Sequence, residues 1–317
     1  MYPVAIEHLH NLIYRVARYR QKQKANKDIM NIYAIGDLHL SGNPPTKPMN
    51  IFGPHWDNHW NRIKEHWQST ITDEDIVFLV GDMSWALRLN EALYDLHEIA
   101  HMHGQKYMIR GNHDYWWSSA NKMKQAMGES IHFLQGHGMA QIVDINNVST
   151  AIENPPHSDT TVSTTKQIIA FGGTRGYMCP GDCNFKPHTD QSIYDRELLR
   201  TEAALQEMEQ SIVALQNDYN KEPHSQIISN QCSNTEVSNI PSQLPVTRIL
   251  LLHYPPFNEH NAPSGFTDLI ERYHVDICIF GHLHDKNSFH RIPTHFGNTQ
   301  LRLVSADYAE FQMQKIL

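Results

Sequence analysis

Thiols are scarce in this chain, which has 4 cysteines (Cys179, Cys183, Cys232 and Cys278) among 317 residues. Such sparse cysteine excludes a disulfide framework and fits a reducing compartment. Cys278 lies in an apolar run, where a buried thiol is expected. Cys179 and Cys183, in CPGDC, have no second cysteine pair that would complete a thiolate cage for a structural metal. Long apolar runs are also missing: no stretch of 18 residues is continuously hydrophobic, so no membrane span is expected. The opening segment MYPVAIEHLHNLIYRVARYRQKQ lacks the early basic cluster, unbroken apolar block and small-residue cleavage site of a signal peptide, and a cytoplasmic location is expected. Positive charge is in deficit. Lys plus Arg number 26 against 34 Asp plus Glu, a net charge of −8. That balance argues against non-specific nucleic-acid binding, although a local basic patch is compatible with it.

Hydrophobic residues make up 40 % of the chain, ordinary for a globular protein, whereas histidine is abundant at 22 residues. Residues 1–27 read as one amphipathic helix, with Ile6, Leu9, Ile13 and Val16 on one face. Its second half carries Arg15, Arg18, Arg20, Lys22, Lys24 and Lys27. The reading adopted is a helix packed on or beside the domain with a solvated charged face. The sharper alternative is a surface for an acidic partner or an anionic membrane.

Residues 28–317 read as a single α/β domain. Short runs rich in branched and aromatic residues predict strands at 32–35, 76–80, 107–109, 131–134, 142–145, 168–171, 249–252, 275–280 and 301–304. Helical patterns separate the earlier ones, and the close spacing over 131–171 predicts that part of the sheet there is antiparallel. Trp56, Trp60, Ile63 and Trp67 predict one buried helix face, with His55, His59 and His66 as surface neighbours. Two polar stretches, near 150–166 and 217–247, read as surface insertions. Between them 190–216 has helical periodicity.

The chemistry gathers where predicted strands end. The clusters are Gly36-Asp37-Leu38-His39, Gly81-Asp82, Arg110-Gly111-Asn112-His113-Asp114, His253-Tyr254-Pro255-Pro256 and Gly281-His282-Leu283-His284-Asp285. Strand ends are where open α/β sheets place ligands. Alternation along an extended backbone would point Asp37 and His39 the same way, and likewise His282 and His284. Carboxylate oxygens, imidazole nitrogens and an amide oxygen suit borderline divalent metals such as zinc, manganese or iron. Two such ions about 3.5–4 Å apart need a bridging carboxylate, and Asp82, alone after its strand, is the natural candidate. Each cluster alone is weak; the five in this order carry the signal.

That order, D-x-H, G-D, G-N-H-D, H and G-H-x-H, resembles the calcineurin-like metallophosphoesterases over roughly residues 30–310, apart from the two insertions. FGPHW, GDMSWAL, GNHDYWW and GGTRGY also resemble a bacterial branch of predicted phosphohydrolases, which usually shows Trp where this chain has Tyr177. The resemblance implies a four-layer α-β-β-α sandwich of two mixed sheets. It implies that Asp37, His39 and His284 bind one divalent metal ion, that Asn112, His253 and His282 bind a second, and that Asp82 bridges them. His113 would be the catalytic histidine beside the leaving-group oxygen, with Asp114 orienting its ring. The implied reaction is hydrolysis of a small-molecule or protein-borne phosphate ester by metal-activated water, the metals being Mn, Fe or Zn. Arg175, in Gly172-Gly173-Thr174-Arg175-Gly176, is a candidate substrate contact because a guanidinium among glycines suits phosphate; the plainer alternative is a salt-bridged arginine in a turn. Tyr115, Trp116 and Trp117 read as core packing, with a cleft wall as the alternative. A phosphodiesterase or nuclease of the same superfamily, and a non-catalytic protein-binding scaffold, stay open as rival functions.

Overall fold

The computed structural model describes residues 30–147, 163–221 and 243–317. The helix expected over 1–27 lies outside them, as do most of the two polar stretches and Cys232. The chain divides into two compact units, of which Asn31–Val143 with Lys166–Leu317 is the larger. The smaller, Met1–Met30 with Asp144–Thr165, contributes to the described residues only Met30 and the outer ends of two strands.

The strands of the described residues are β1 (Ile32–Ile35), β2 (Ile76–Val80), β3 (Gln105–Ile109), β4 (His132–Leu134), β5 (His137–Asn147), β6 (Ser163–Thr174), β7 (Val246–Leu252), β8 (Ile277–Phe280), β9 (His295–Phe296), β10 (Thr299–Leu303) and β11 (Gln314–Lys315). They form two sheets, ordered β11-β1-β2-β3-β4 and β5-β6-β7-β8-β10-β9. In the first, β1 to β4 run parallel and β11 pairs antiparallel with β1. In the second, β6, β7, β8 and β10 run parallel, with β9 antiparallel to β10. Both sheets are mixed. Within the span 131–171, β4 pairs parallel with β3; the chain then leaves that sheet and enters the other at β5, which neighbours β6.

The helices are α1 (His59–Thr70), α2 (Leu89–Ala100), α3 (Ala120–Met127), α4 (Pro187–Lys221), α5 (Gly265–Arg272) and α6 (Lys286–Arg291). Strands buried on both faces read as continuous apolar runs, and β2, Ile-Val-Phe-Leu-Val, is buried throughout. Val77 and Leu79 pack with Ile63 and Trp67 of α1 and Leu96 and Ile99 of α2. Phe78, pointing the opposite way, meets the ring of Phe171 on β6 at 5.0 Å, and Tyr107 on β3 meets the same ring at 4.6 Å. The two sheets therefore stack face to face. On the far side of the second sheet, Leu205 and Met208 of α4 and Phe266 and Ile270 of α5 cover Leu250 and Leu252. The layers run helix, sheet, sheet, helix. Truncating an aromatic such as Phe78 at the sheet interface would cost about 3–5 kcal/mol.

The tryptophan face expected as one helix is broken. Pro54–Trp56 forms a short 3-10 turn, Asn58 adopts a left-handed backbone (φ 55°), and α1 starts only at His59. Trp56, Ile63 and Trp67 are buried as expected, and Trp60 packs against the same cluster while partly exposed. The helix expected at 190–216 runs longer, from Pro187, whose fixed φ suits a first turn, to Lys221.

At the C-terminal ends of the parallel strands the two sheets meet. Gly36, after β1, bridges Ser305, after β10. The amide of Asp37 donates to Gly81 O (2.8 Å), and that of Gly281 donates to His253 O (3.1 Å). Every sequence cluster described above lies on this edge.

Candidate metal centre

Seven donor side chains come together at this edge, each from a turn that follows a parallel strand. β1 leads to Asp37 and His39, β2 to Asp82, β3 to Asn112, β7 to His253, and β8 to His282 and His284. The turns are not continued strand. Asp37 (φ 59°), His39 (φ 48°), Asp82 (φ 56°) and His282 (φ 73°) all have left-handed backbones. The expected alternation of Asp37 with His39, and of His282 with His284, is thus replaced by tight turns. Such conformations are disfavoured for residues with a Cβ and cluster at functional sites. Two glycines allow the turns to close: a Cβ on Gly111 would collide with the Asp82 carboxylate and backbone, and one on Gly281 with the Asp37 carboxylate.

The donors form two groups. In the first, His39 Nε2 and His284 Nε2 lie 3.3 Å apart, and His284 Nε2 lies 3.4 Å from Asp37 Oδ1. In the second, Asn112 Oδ1 lies 2.7 Å from His253 Nε2 and 2.8 Å from His282 Nδ1. Asp82 stands between them, with Oδ2 3.9 Å from His39 Nε2 and 3.5 Å from His253 Nε2. Asp37, His39 and His284 have one ligand atom each within 4.8 Å of one another, as do Asp37, Asp82 and His253. Asp37 thus touches both groups, a feature not anticipated from the sequence.

Contacts behind the donors fix which atom points inward. His253 Nδ1 faces Val80 O at 2.9 Å, leaving Nε2 towards the centre. His284 Nδ1 faces Asp307 Oδ1 at 3.0 Å, and the Asp307 side chain is only 3 % exposed. The amide of His282 donates to both Asp37 oxygens (3.2 and 3.0 Å).

Asp37, Asp82 and His253 are almost fully buried, so their charges need local compensation. Burial pulls the His253 pKa down, but the Asp82 charge and hydrogen bond override it and raise it to about 9. Burial likewise opposes protonation of His284, yet its hydrogen bonds to Asp307 and Asp37 and their charges push it up to about 10. Burial pulls His39 down to about 4 against the two carboxylates. Burial and the charge of His253 take His282 to about 3. For Asp37 and Asp82 burial acts upward but is outweighed, by His284 and His253 respectively, and both are held below the usual carboxylate range. Two carboxylates that draw positive charge onto neighbouring imidazoles, beside an amide oxygen and two neutral imidazoles, form a donor set that fits divalent cations.

His113, the sequence candidate for catalysis, sits at the rim. Its amide donates to Asp82 Oδ1 (2.7 Å), and its ring packs 4.6 Å from Trp85 and 5.8 Å from His39. The hydrogen bonds of Asp114 go elsewhere than to that ring. Its fully buried carboxylate accepts from the amides of Asp82 (2.8 Å), Gly111 (2.8 Å), Met83 (2.9 Å) and Ser84 (3.4 Å) and from Trp116 Nε1 (3.0 Å). It clamps the β2 and β3 turns together, while burial and the Asp82 charge lift its pKa to about 6.

Arg175 is not among the donors. Its guanidinium lies 3.9 Å from Glu197 Oε1 and 5.4 Å from the Tyr177 ring, beside a cavity of about 260 Å³ that it lines with Arg110, Arg196 and Arg200. Trp116 is core, Trp117 packs partly against it, and Tyr115 is exposed with its ring 6.2 Å from His113. Of the cysteines, Cys179 and Cys278 are buried free thiols, and Cys183 is an exposed one.

Sequence reasoning missed several participants. Asp307 follows β10 on the same edge, a position that could have flagged it. Trp85 stacks on His39 at 4.6 Å, Trp56 reaches His284 at 5.9 Å, and Tyr254 covers His282 at 4.1 Å. His59, expected as a surface residue, places its ring nitrogens 2.9 Å from Leu38 O and 3.2 Å from Trp56 O, and so braces the first turn. His66 Nδ1 accepts from the Met313 amide (3.1 Å), so it too is more than a surface residue.

The sequence profile of the calcineurin-like phosphoesterases matches residues 30–286. No curated protein matches the chain. Among solved structures, it is similar to the protein of unknown function AQ665 from Aquifex aeolicus, at 10 % identity over 90 % of this chain and 95 % of that one, with a TM-score of 0.38. It is similar to the calcineurin-like phosphoesterase YfkN from Bacillus subtilis at 12 % identity, over 87 % of this chain and 80 % of that one, TM-score 0.42. A third is TT1561 of Thermus thermophilus, at 9 % identity over 91 % of this chain and 98 % of that one, TM-score 0.43.

Proposed function

Because the chain belongs to the calcineurin-like phosphoesterase family, we propose that it is an enzyme that hydrolyses phosphate esters with two divalent cations. Asp37, His39 and His284 would hold one, Asn112, His253 and His282 the other, with Asp82 shared. The observation that carries this reading is the position of Asp82 Oδ2, within 3.9 Å of one histidine group and 3.5 Å of the other. Mn, Fe and Zn all suit the donor set. Divalent cations in such a site supply electrostatic stabilisation of phosphate oxygens and a water that is nucleophilic near neutral pH.

The chain's own residues do the rest. Asp307 and Val80 O hold His284 and His253 so that Nε2 of each faces inward. Asp114 holds the Asp82 and Asn112 turns in register. His113, kept at the rim by Trp85 and its amide bond to Asp82, would hand a proton to the departing ester oxygen, help worth about 10²–10⁴ in rate. Among the described residues no helix is long and apolar enough to cross a membrane, and a phosphate ester reaching this edge from solvent is the substrate class that fits.

The test is a panel with Mn²⁺ present: p-nitrophenyl phosphate, bis-p-nitrophenyl phosphate, cyclic nucleotides and single-stranded DNA. Turnover of the first alone assigns a monoesterase; turnover of the others assigns a diesterase or nuclease. Inactivity on all four, in protein shown by metal analysis to be loaded, overturns the enzymatic reading in favour of a protein-binding scaffold.

A further inference from the structure

Four arginines surround one carboxylate beside the metal centre. Arg110 precedes the Asn112 turn, Arg175 follows β6, and Arg196 and Arg200 lie one turn apart on α4. All four line the same cavity of about 260 Å³, as does Glu197, while none of the seven metal-donor residues does. Glu197 is 1 % exposed and fully committed: Thr174 Oγ1 donates to its Oε2 (2.7 Å) and Arg200 Nη1 to its Oε1 (2.6 Å). Arg175 and Arg196 approach that same Oε1 only to 3.9 and 4.0 Å. Arg110 donates from Nε to the backbone O of Asp114 (3.3 Å). Among the described residues Glu197 is the one carboxylate within ion-pair distance of these arginines, shared by Arg175, Arg196 and Arg200, while Arg110 feels the charges of Asp114 and Glu197 from further off. Arg175 Nε is moreover buried with no hydrogen-bond partner. Like charges held this close destabilise the fold unless an anion joins them.

The pocket borders the centre without merging into it. The backbone O of Arg175 accepts from the amides of His253 and Tyr254 (both 3.0 Å). From its guanidinium a series of rings, Tyr177 at 5.4 Å, then Tyr254 5.6 Å further on, then His282 at 4.1 Å, leads to the donor cluster. A group seated among the arginines is therefore a different group from one held at the donors.

We propose that this pocket binds a second anionic group of the ester substrate, so that the preferred substrate carries a phosphate remote from the one that is cleaved. A phosphate suits the pocket best, since its oxygens can meet several planar guanidiniums at once. The proposal rests on the phosphoesterase reading for the substrate role but not for the binding itself.

Two measurements on the full chain separate these. The first titrates inorganic phosphate calorimetrically with EDTA present, so that the donor cluster holds no cation. Wild type binds; Arg196→Ala, whose side chain is 55 % exposed and tolerates truncation, binds about fivefold or more weakly, the loss of a charge-assisted hydrogen bond. Arg196→Gln, which keeps most of the side-chain length at this 55 % exposed position and removes the charge, serves as the second variant. No binding by wild type, or equal binding by both variants, overturns the pocket. The second compares kcat/KM for butane-1,4-diyl bisphosphate and butyl phosphate in Mn²⁺-loaded protein. The bisphosphate is favoured by wild type, and Arg196→Ala reduces that preference about fivefold. A preference untouched by Arg196→Ala overturns the substrate assignment. If neither ester is hydrolysed while p-nitrophenyl phosphate or another of the panel is, the substrate assignment is overturned; if the whole panel fails as well, the phosphoesterase reading fails with it, while the phosphate titration still decides whether the pocket binds anions.

Discussion

The Nδ1 atom of His284 lies 3.0 Å from Asp307 Oδ1, and this one contact turns Nε2 inward to within 3.4 Å of Asp37 and 3.3 Å of His39. An imidazole aimed by a carboxylate is also more basic. Asp307→Asn should therefore weaken cation binding about 10- to 100-fold while the fold persists. Equilibrium dialysis followed by metal analysis measures this. Full affinity in the variant would show that packing alone, from Trp56 at 5.9 Å, sets the ring.

His113 offers a contrast, because its ring stands at the rim against Trp85 and its hydrogen bond to the donor cluster is through the backbone amide. His113→Ala should lower kcat about 10²- to 10⁴-fold with bound metal unchanged. Activity on p-nitrophenyl phosphate together with metal content tests both halves. A variant with lowered metal content would make His113 a part of the donor cluster instead.

Much of this arrangement was legible in the sequence, for definite reasons. β1 and β2 match their expected bounds, 32–35 and 76–80, because strands covered on both faces leave unbroken apolar runs. The gathering of the seven candidate side chains at one edge was legible because each follows such a run. β9 and β11 were missed because two residues carry no periodicity. Asp37 and His39 reach the expected neighbourhood through left-handed turns, which strand alternation does not foresee. Adjacency of Asp114 to His113 in sequence says nothing of direction, and the carboxylate turns inward to five N–H donors.

Those five donors make Asp114 a structural centre. An Asn there must aim an NH₂ at backbone amides whichever way the amide is flipped. Each buried donor left unpaired costs about 1–3 kcal/mol, so Asp114→Asn should destabilise the protein by at least about 2 kcal/mol. Urea unfolding reads the change. Unaltered stability with reduced kcat would restore the idea that Asp114 acts on His113.

Asp95 on α2 makes the opposite case. It is 4 % exposed and, among the described residues, accepts from Ser84 Oγ (2.5 Å) and the Gly42 amide (2.8 Å). Burial, with a contribution from Glu98, raises its pKa above the ordinary carboxylate value in spite of those two bonds. A raised carboxyl pKa means that between the unfolded and folded values the native state binds more protons. Stability is then lost as pH rises through that window. Asp95→Asn carries no charge to bury and can still accept from Gly42 while donating to the Ser84 oxygen. The variant should be more stable than wild type at pH 7, and the gain should shrink as pH falls towards the ordinary carboxylate range. Urea midpoints at pH 7 and pH 4 measure both. A loss of stability at pH 7 would mean that the two hydrogen bonds favour the carboxylate more than burial disfavours it.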